Sequence, residues 1–229
     1  MRALVIGGTG PTGHFVVNGL IERGYDVSIL HTGKHEVDEI PESVDHIHTN
    51  PFDDQALIDA LGNSHFDLAV AMYGRLRRVA EIMVGRTERF ISVGGGPAYR
   101  GYMNADMVQP PGLPVPTAED ATKTASEVED GKGFRVYRSE EVVFKHHPSA
   151  THFRYPQIYG AYQVVPREWP IVRRIVDKRS SIIIPDDGLS LNHSGAAANV
   201  AHALLLAVDQ PQVAAGQVYN CGDDHVLTL

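Results

Sequence analysis

The sequence has 229 residues, of which 43% are hydrophobic and 21% are charged, a composition typical of one globular domain with at most a small extra lobe. Its formal net charge is −8. A nucleic acid or an anionic membrane surface would repel this charge, because both are themselves negative. We therefore expect no nucleic-acid partner and no membrane partner.

The single cysteine, Cys221, excludes an internal disulfide and favours a reducing compartment. No apolar run approaches the ~20 residues that a membrane span needs. The opening residues, MRALVIGGTG, lack the long apolar region and the cleavage site of a signal peptide. These observations together predict a cytoplasmic protein.

The first thirty residues predict one βαβ unit. Residues 2–6, RALVI, form an apolar run of the kind found in buried parallel strands. A helical apolar stripe follows over His14–Arg23, and Gly24 is a suitable C-cap for that helix. Residues Tyr25–Leu30 then predict a second strand.

The turn between this strand and this helix contains three glycines, Gly7, Gly10 and Gly13. One permits the tight turn, another lets a pyrophosphate approach the backbone, and the third lets the helix pack close to the sheet. The helix N-terminus then presents free N–H groups to the phosphates. A purely structural turn is the alternative. The predicted dinucleotide-binding residues of the turn are Gly7, Thr9, Gly10, Pro11, Thr12 and Gly13.

The end of the second strand distinguishes NAD from NADP. An acid at this position would hydrogen-bond the ribose 2′-OH and repel a 2′-phosphate. The sequence has His31, Thr32 and Lys34 instead, and no acid precedes Glu36. We predict that these three residues bind the cofactor and that it is NADP(H), with NAD(H) as the alternative. Lys34 could also be an ordinary solvated lysine.

Strands and helices continue to alternate along the chain. We predict strands around His46–His48, at Asp67–Ala71 and at Arg89–Val93. Helices are predicted at Asp53–Leu61, with Asp53 as the N-cap, and at Arg75–Val84. This alternation predicts an α/β fold, a doubly wound parallel sheet of the Rossmann type. Ligands bind such sheets at the carboxyl ends of the strands. The predicted cofactor site therefore also includes Asp53, Met72, Gly74 and Gly94.

Two histidines of the third strand, His46 and His48, share one face and could be considered as metal ligands. No third ligand with a suitable spacing accompanies them in the sequence. We expect both to be surface residues and predict no metal site.

Several motifs in fixed order resemble the extended short-chain dehydrogenase/reductase superfamily, in its epimerase/dehydratase branch. They are GGTGPTG at 7–13, Asp53, FISVGGGPAY at 90–99, PTAEDA at 116–121, FRYPQIYG at 153–160 and AGQVYNCGD at 215–223. The resemblance implies that Asp53 lies near the adenine. It also implies that Tyr155, Pro156 and Ile158 lie near the nicotinamide and the substrate.

The resemblance also implies a division of the chain. Residues 1–160 would form the dinucleotide-binding domain, and residues 161–229 a partial substrate lobe interleaved with it. In that lobe we expect a helix with Ile171 and Ile175, a strand at Ile182–Ile184 and a helix at Ala196–Val208. Relatives usually continue beyond such a C-terminus, so the lobe is expected to be truncated or a minimal version.

The sequence departs from this family at its Ser-Tyr-Lys set. Gly94 and Gly95 stand where relatives have serine. On the following helix, Gly133 stands in place of the tyrosine and Tyr137 in place of the lysine, when Glu141 is aligned with the family's acid. No tyrosine in the chain has a lysine four residues later. The chain is therefore expected to be an atypical member.

Loss of a general acid costs about 10²–10⁴-fold in rate, so hydride transfer can survive it. We predict an NADP(H)-dependent reductase of a small or aromatic ketone, with Tyr137 or Tyr99 as an unconventional proton source. Tyr137 could instead be a packed or ribose-contacting aromatic. The alternatives are a non-catalytic dinucleotide sensor and a nucleotide-sugar epimerase or dehydratase. The partner is a small-molecule substrate, and nothing argues against a homodimer.

The long segment 97–117 is rich in proline and glycine. Loops of this length in compact domains are usually functional lids or disordered segments. Both interpretations are open for this one.

Overall fold

Seven parallel strands form the central sheet of the computed structural model, which describes residues 1–72, 74–163 and 165–228. The strands are ordered β10-β6-β5-β4-β1-β2-β3 across the sheet. They are β1 (Arg2–Ile6), β2 (Asp26–His31), β3 (Asp45–His48), β4 (Phe66–Ala71), β5 (Thr87–Gly95), β6 (Thr151–Tyr155) and β10 (Val218–Asn220). The predicted doubly wound parallel sheet is confirmed.

Helices cover both faces of this sheet. The described residues form the helices α1 (Gly13–Glu22), α2 (Asp54–Leu61), α3 (Leu76–Ile82), α4 (Gly131–His146), α5 (Trp169–Val176), α6 (Ala197–Asp209) and α7 (Pro211–Ala214). Short 3₁₀ turns occupy Gly96–Ala98, Ala105–Met107 and Pro185–Gly188. Two-residue and three-residue strands complete the structure: β7 (Gln157–Tyr159) pairs with β9 (Ser194–Ala196), and β8 (Leu191–Asn192) with β11 (Leu227–Thr228).

The sheet separates two hydrophobic layers because neighbouring side chains of a strand point to opposite faces. In β1, Ala3 and Val5 belong to the layer under α1 and α6, whereas Leu4 and Ile6 belong to the layer under α2, α3 and α4. Helices α1 and α6 approach closely at Gly19, where a Cβ atom would lie 2.3 Å from Leu205 Cδ1. Both faces of the sheet are therefore packed, which explains why the central strands β1 and β4 are largely apolar.

The strand order reverses between β1 and β4. From β1 the sheet grows through β2 and β3 on one side, and through β4, β5, β6 and β10 on the other. The segments that follow β1 and β4 consequently leave the sheet in opposite directions and open a crevice at its carboxyl edge. This position is where the site described below begins.

The strand predicted at Ile182–Ile184 is wrong. These residues have no regular secondary structure, and Ile183 is 89% exposed. A run of β-branched residues forms a strand only where a partner strand satisfies its backbone groups, and none of the described strands pairs with this run. The predicted helices with Ile171 and at Ala196–Val208 are present as α5 and α6.

The segment from residue 161 onward contributes to both parts of the molecule. Helix α6 packs on α1, and β10 extends the main sheet beside β6, whereas α5 exposes Trp169, Ile171 and Ile175. The predicted division at residue 160 stays a prediction, and Val164 and Leu229 of the predicted lobe lie outside the described residues. Among the helices of the described residues, none has the length and apolar character that crossing a membrane requires.

Candidate cofactor and substrate site

The turn after β1 has the geometry that its glycine spacing predicts. Gly7 adopts a φ of +95° and donates its N–H to Leu30 O at 2.9 Å, which ties the turn to β2. A Cβ atom on Gly13 would lie 2.1 Å from Gly8 O, so only glycine allows the helix to start this close to the turn. A Cβ atom on Gly10 would meet nothing nearer than 4.0 Å. The backbone at Gly10 is therefore open to a ligand.

Helix α1 begins at this turn without an acidic residue in its first turn. Thr12 precedes the helix, and its hydroxyl donates to Met72 Sδ at 3.9 Å, which joins the segments that follow β1 and β4. The Nδ1 atom of His14 is buried and has no hydrogen-bond partner among the described residues. Free N–H groups at a helix start suit an anionic group. Thr9 and Pro11 lie half-buried on the same turn.

The position at which relatives have serine is closed by a buried histidine. A Cβ atom on Gly94 would lie 2.5 Å from His152 Nε2, so any side chain at position 94 would displace the imidazole. His152 lies in β6, is 1% exposed and shares a hydrogen bond with Ser92 Oγ at 2.8 Å. Burial lowers the pKa of His152 to about 4, which keeps it neutral. Ser92 therefore serves the core and not the crevice.

Helix α4 has no room for a tyrosine at the aligned position. A Cβ atom on Gly133 would lie 2.6 Å from Pro97 O and 2.6 Å from Thr124 Oγ1. Tyr137, one turn further on, is half-buried, and burial together with Glu141 raises the pKa of its phenol. As far as the described residues show, Tyr137 lines neither of the two clefts at the carboxyl edge of the sheet.

The first of these clefts has a volume of about 680 Å³ and lies beyond the carboxyl ends of β5, β6 and β10. Segment 97–117 forms one wall of it through residues that include Leu113 and Val115. Tyr155 and Pro156 line it from the end of β6. The Tyr155 hydroxyl is buried without a partner among the described residues, and burial raises its pKa. This cleft is large enough for a small organic ligand.

Tyr99 also lines this cleft and belongs to a buried polar network. Its hydroxyl accepts a hydrogen bond from Arg154 Nη1 at 2.6 Å and donates to Asn220 Oδ1 at 2.9 Å. Arg154 in turn donates from Nε and Nη2 to the Glu140 carboxylate at 2.9 and 2.6 Å. The ammonium group of Lys123 lies 4.7 Å from the centre of the Tyr99 ring. The phenol of Tyr99 is therefore held rigidly, with two cations beside it.

Arg154, Glu140 and Asn220 were not identified from the sequence. An arginine within strand β6 and a glutamate within helix α4 were the available signals, because charges that are buried in proteins are almost always paired. Nothing in the sequence indicated the contact between Asn220 and Tyr99, because this contact depends on β10 lying beside β6.

The second cleft lies between α3 and α4, beyond the ends of β4 and β5, with a volume of about 740 Å³. Gly74 and Gly94 line it. Basic side chains surround them: Arg75, Arg77, Arg78, Lys132 and Arg135. Of the residues predicted near the ends of the strands, Gly74 and Gly94 thus line the second cleft, whereas Tyr155 and Pro156 line the first.

Asp53 and Ile158 are among the predicted residues that line neither cleft. Asp53 accepts the Ala56 N–H at 3.0 Å and caps α2, as the sequence predicts for the start of this helix. Ile158 lies on β7 and packs against the layer under α1 and α6. Any contact of these two residues with a cofactor stays a prediction.

The ends of β2 and β3 contain a cluster that the sequence analysis missed. Thr32 and Lys34 are exposed, whereas His31 is buried, with its Nε2 3.1 Å from His46 Nδ1. The carboxylate of Glu36 turns back onto the histidines. Its oxygens lie 3.2 Å from His46 Nδ1, 3.4 Å from His48 Nε2 and 3.9 Å from His31 Nε2.

This cluster bears on two expectations. The sequence has no third ligand at a suitable spacing from His46 and His48, but His31 and Glu36 lie beside them in space. An acid does reach the end of β2, since Glu36 returns from the loop that follows the strand. Spacing along the chain could not reveal either contact, because the parallel pairing of β2 with β3 brings His31 opposite His48. Burial lowers the pKa of His31, and the neighbouring His48 and His46 act in the same direction.

No protein-family model matches the sequence, and no curated protein matches it. Solved structures do match over the full length. The UDP-glucose 4-epimerase of Thermotoga maritima has a TM-score of 0.77 and 20% identity, over 100% of this chain and 79% of the epimerase. The UDP-glucose 4-epimerase of Thermus thermophilus, in complex with NAD, has a TM-score of 0.71 and 18% identity over the same shares.

The UDP-glucuronic acid 4-epimerase of Bacillus cereus, with UDP-glucuronic acid and NAD, has a TM-score of 0.73 and 14% identity, again over 100% and 79%. The chain has the fold of these epimerases. The fold that the resemblance to extended short-chain dehydrogenases implies is thereby confirmed. At 20% identity or less, this likeness concerns the fold alone.

Proposed function

We propose that the chain binds a nicotinamide dinucleotide at the turn Gly7–Gly13 and reduces a small carbonyl compound in the cleft beside Tyr99. The observation that carries the first part is the turn itself. Gly10 leaves the backbone open, and Gly13 brings the start of α1 against the turn. Backbone N–H groups at a helix start are a ready-made phosphate site.

In this proposal the chain holds the pyrophosphate through the backbone of the turn and of the first helical residues. Met72, Gly74 and Gly94, at the ends of the neighbouring strands, would border the rest of the dinucleotide. Lys34 would lie toward the ribose and favour NADP(H) through its positive charge, with His31 and Thr32 beside it. The Glu36 carboxylate counteracts this preference, so NAD(H) remains the alternative. When bound, the cofactor supplies hydride transfer.

We place the proton source at Tyr99. Because Arg154 donates to the phenol oxygen, the hydroxyl hydrogen points toward Asn220. A carbonyl oxygen that replaced Asn220 as the acceptor would receive this proton. The Arg154 guanidinium lies 2.6 Å from the oxygen on which negative charge then develops. Tyr137 is the weaker candidate, because it does not line the cleft within the described residues and burial raises its pKa.

The walls of the cleft suit a small or aromatic ketone. Leu113, Val115 and Tyr102 offer apolar surface, whereas Gln157 and Asn192 offer hydrogen bonds. Pockets of this kind bind through apolar surface and use a few polar groups to orient the ligand.

The Tyr99→Phe variant tests the proton source. We expect its NADPH-dependent ketone reduction to fall by about 10²–10⁴-fold, because a general acid contributes this much. Affinity for NADPH should not change, since Tyr99 lies outside the glycine turn. Tyr137→Phe is the matched control and should keep its turnover. If Tyr99→Phe keeps full turnover and Tyr137→Phe loses turnover, the proton donor is Tyr137 on α4 and not Tyr99.

A nucleotide-sugar epimerase or dehydratase is the second candidate, favoured by the likeness of fold to UDP-sugar epimerases. The closed space at Gly133 argues against it, because the family's tyrosine has no place there. Incubation with UDP-glucose and NAD, followed by analysis of the sugar, separates it from the reductase. A non-catalytic sensor would bind oxidised and reduced dinucleotide equally and turn over neither substrate.

A further inference from the structure

We propose that His31, Glu36, His46 and His48 form a binding site for a divalent zinc ion at the carboxyl ends of β2 and β3. Each of the four residues offers one ligand atom, and these atoms all lie within 4.8 Å of one another. This site goes beyond the dinucleotide function proposed above and does not depend on it.

The spacing of the ligand atoms suits zinc. Zinc binds imidazole nitrogen and carboxylate oxygen at about 2.0–2.2 Å in a tetrahedron, which separates the ligand atoms by roughly 3.3 Å. The observed separations are 3.1 Å between His31 Nε2 and His46 Nδ1, and 3.2 Å between His46 Nδ1 and Glu36 Oε2. His48 Nε2 lies 3.4 Å from Glu36 Oε1. Small side-chain movements therefore suffice to enclose an ion.

The backbone already positions three of the four ligands. His46 and His48 are two residues apart on β3, and parallel pairing puts His48 opposite His31 at the end of β2. The imidazole rings of His31 and His48 meet edge to face, with centres 4.7 Å apart. Ligands on two paired strands lose little freedom when an ion binds, whereas Glu36 closes the site from a loop.

The donor set favours a cation over a phosphate. Imidazole nitrogens together with a carboxylate are the ligands that zinc takes in proteins. The Glu36 carboxylate lies within 4.0 Å of all three histidines, where it would repel a phosphate group. A phosphate site would be expected to exclude this side chain.

Binding requires one rearrangement of protons. In the structure the Gly33 N–H donates to His31 Nδ1 at 3.3 Å. A neutral imidazole that binds zinc through Nε2 carries its proton on Nδ1, so the Gly33 amide has to give up this acceptor. The amide signal of Gly33 is consequently an internal reporter of the loaded site.

The experiment uses metal alone, without nucleotide, so that its outcome is independent of the proposed function. We expect the metal-stripped protein to bind one Co²⁺ with the intense visible absorption of a tetrahedral site, and Zn²⁺ to displace it. His46→Ala, His48→Ala and Glu36→Gln should each weaken binding at least tenfold, because each removes or weakens one of four ligands. Zinc should also shift the Gly33 amide signal.

His65→Ala is the matched control, because the exposed His65 contacts Glu88 at 3.2 Å but lies outside the cluster. This variant should bind Co²⁺ as the unchanged protein does. The proposal would be overturned if the protein showed no tetrahedral cobalt spectrum. It would also be overturned if His65→Ala and His46→Ala lost the same affinity for Co²⁺. Variants that lose affinity for NADPH while keeping their affinity for Co²⁺ would overturn it as well, since the cluster would then serve a phosphate.

Discussion

At the residue scale, Gly13 and Gly10 of the turn after β1 have different structural roles. Gly13 is required by packing, because its Cβ atom would collide with Gly8 O at 2.1 Å. Gly10 is not required by packing, because the nearest atom to its Cβ position is 4.0 Å away. If the open backbone at Gly10 exists for a pyrophosphate, the two positions can be separated by experiment.

We therefore predict opposite effects of Gly13→Ala and Gly10→Ala. The first should destabilise the fold by about 1–3 kcal/mol, as overpacking does. The second should leave the free energy of unfolding nearly unchanged and weaken dinucleotide binding at least tenfold. Urea unfolding and cofactor titration of both variants measure this. Unchanged cofactor affinity in Gly10→Ala would show that no ligand approaches the turn there.

His152 makes stability depend on pH. Its pKa is about 4 in the folded chain because it is buried, against 6.5 when exposed. Between these values the unfolded chain binds the extra proton, so stability is full above about pH 6.5 and is lost as the pH falls toward 4. The loss amounts to about 3 kcal/mol.

Urea unfolding at about pH 7 and about pH 4.5 should show most of this difference. In His152→Gln the loss of stability between these two pH values should be smaller, because the contribution of His152 is gone. The contributions of His31 and His147, whose pKa values burial also lowers, should remain. If the unchanged protein and His152→Gln lose the same stability between the two pH values, His152 is solvated in solution.

At the scale of elements, helix α4 offers a direct comparison of a buried with an exposed ion pair. Glu140 is buried and receives two hydrogen bonds from Arg154, whereas its neighbour Glu141 pairs with Arg138 at the surface at 2.7 Å. We predict that Glu140→Ala costs about 3–5 kcal/mol, because it leaves the Arg154 charge buried and unpaired. Glu141→Ala should cost less than about 1 kcal/mol. If chemical denaturation showed that Glu140→Ala and Glu141→Ala destabilise the protein equally, the burial of Glu140 would be contradicted.

Elements differ in how well the sequence predicted them. Strands such as β1 and β4 were predicted to within a residue, because apolar runs flanked by glycine or polar residues mark both ends. Asp53 was predicted correctly as the cap of α2 for the same local reason. The run Ile182–Ile184 misled because strand formation depends on a partner, which local propensity does not specify.

The site was predictable only in its local part. The glycine turn is a continuous segment, and its backbone geometry followed from spacing alone. The closure of position 94 by His152, the Arg154–Glu140 pair and the return of Glu36 onto the histidines all join residues that are distant along the chain or on different elements. These contacts depend on strand order and side-chain direction, which a single sequence does not provide.

At the scale of the whole molecule, two ligand-sized features share one edge of the sheet. The glycine turn lies at the point where the strand order reverses, and the cleft beside Tyr99 lies beyond β5, β6 and β10. A dinucleotide bound at the turn and a substrate in the cleft would thus occupy the same edge.

The most direct measurement is calorimetric titration of the purified protein with NADPH and, in parallel, with NADH. We predict one binding site, with at least a tenfold preference for NADPH, equivalent to about 1.4 kcal/mol, from the positive charge of Lys34. A preference for NADH would leave the turn as the cofactor site and identify Glu36 as the dominant charge at the ribose. Binding of neither dinucleotide would reduce the turn to a structural feature and contradict the proposed function.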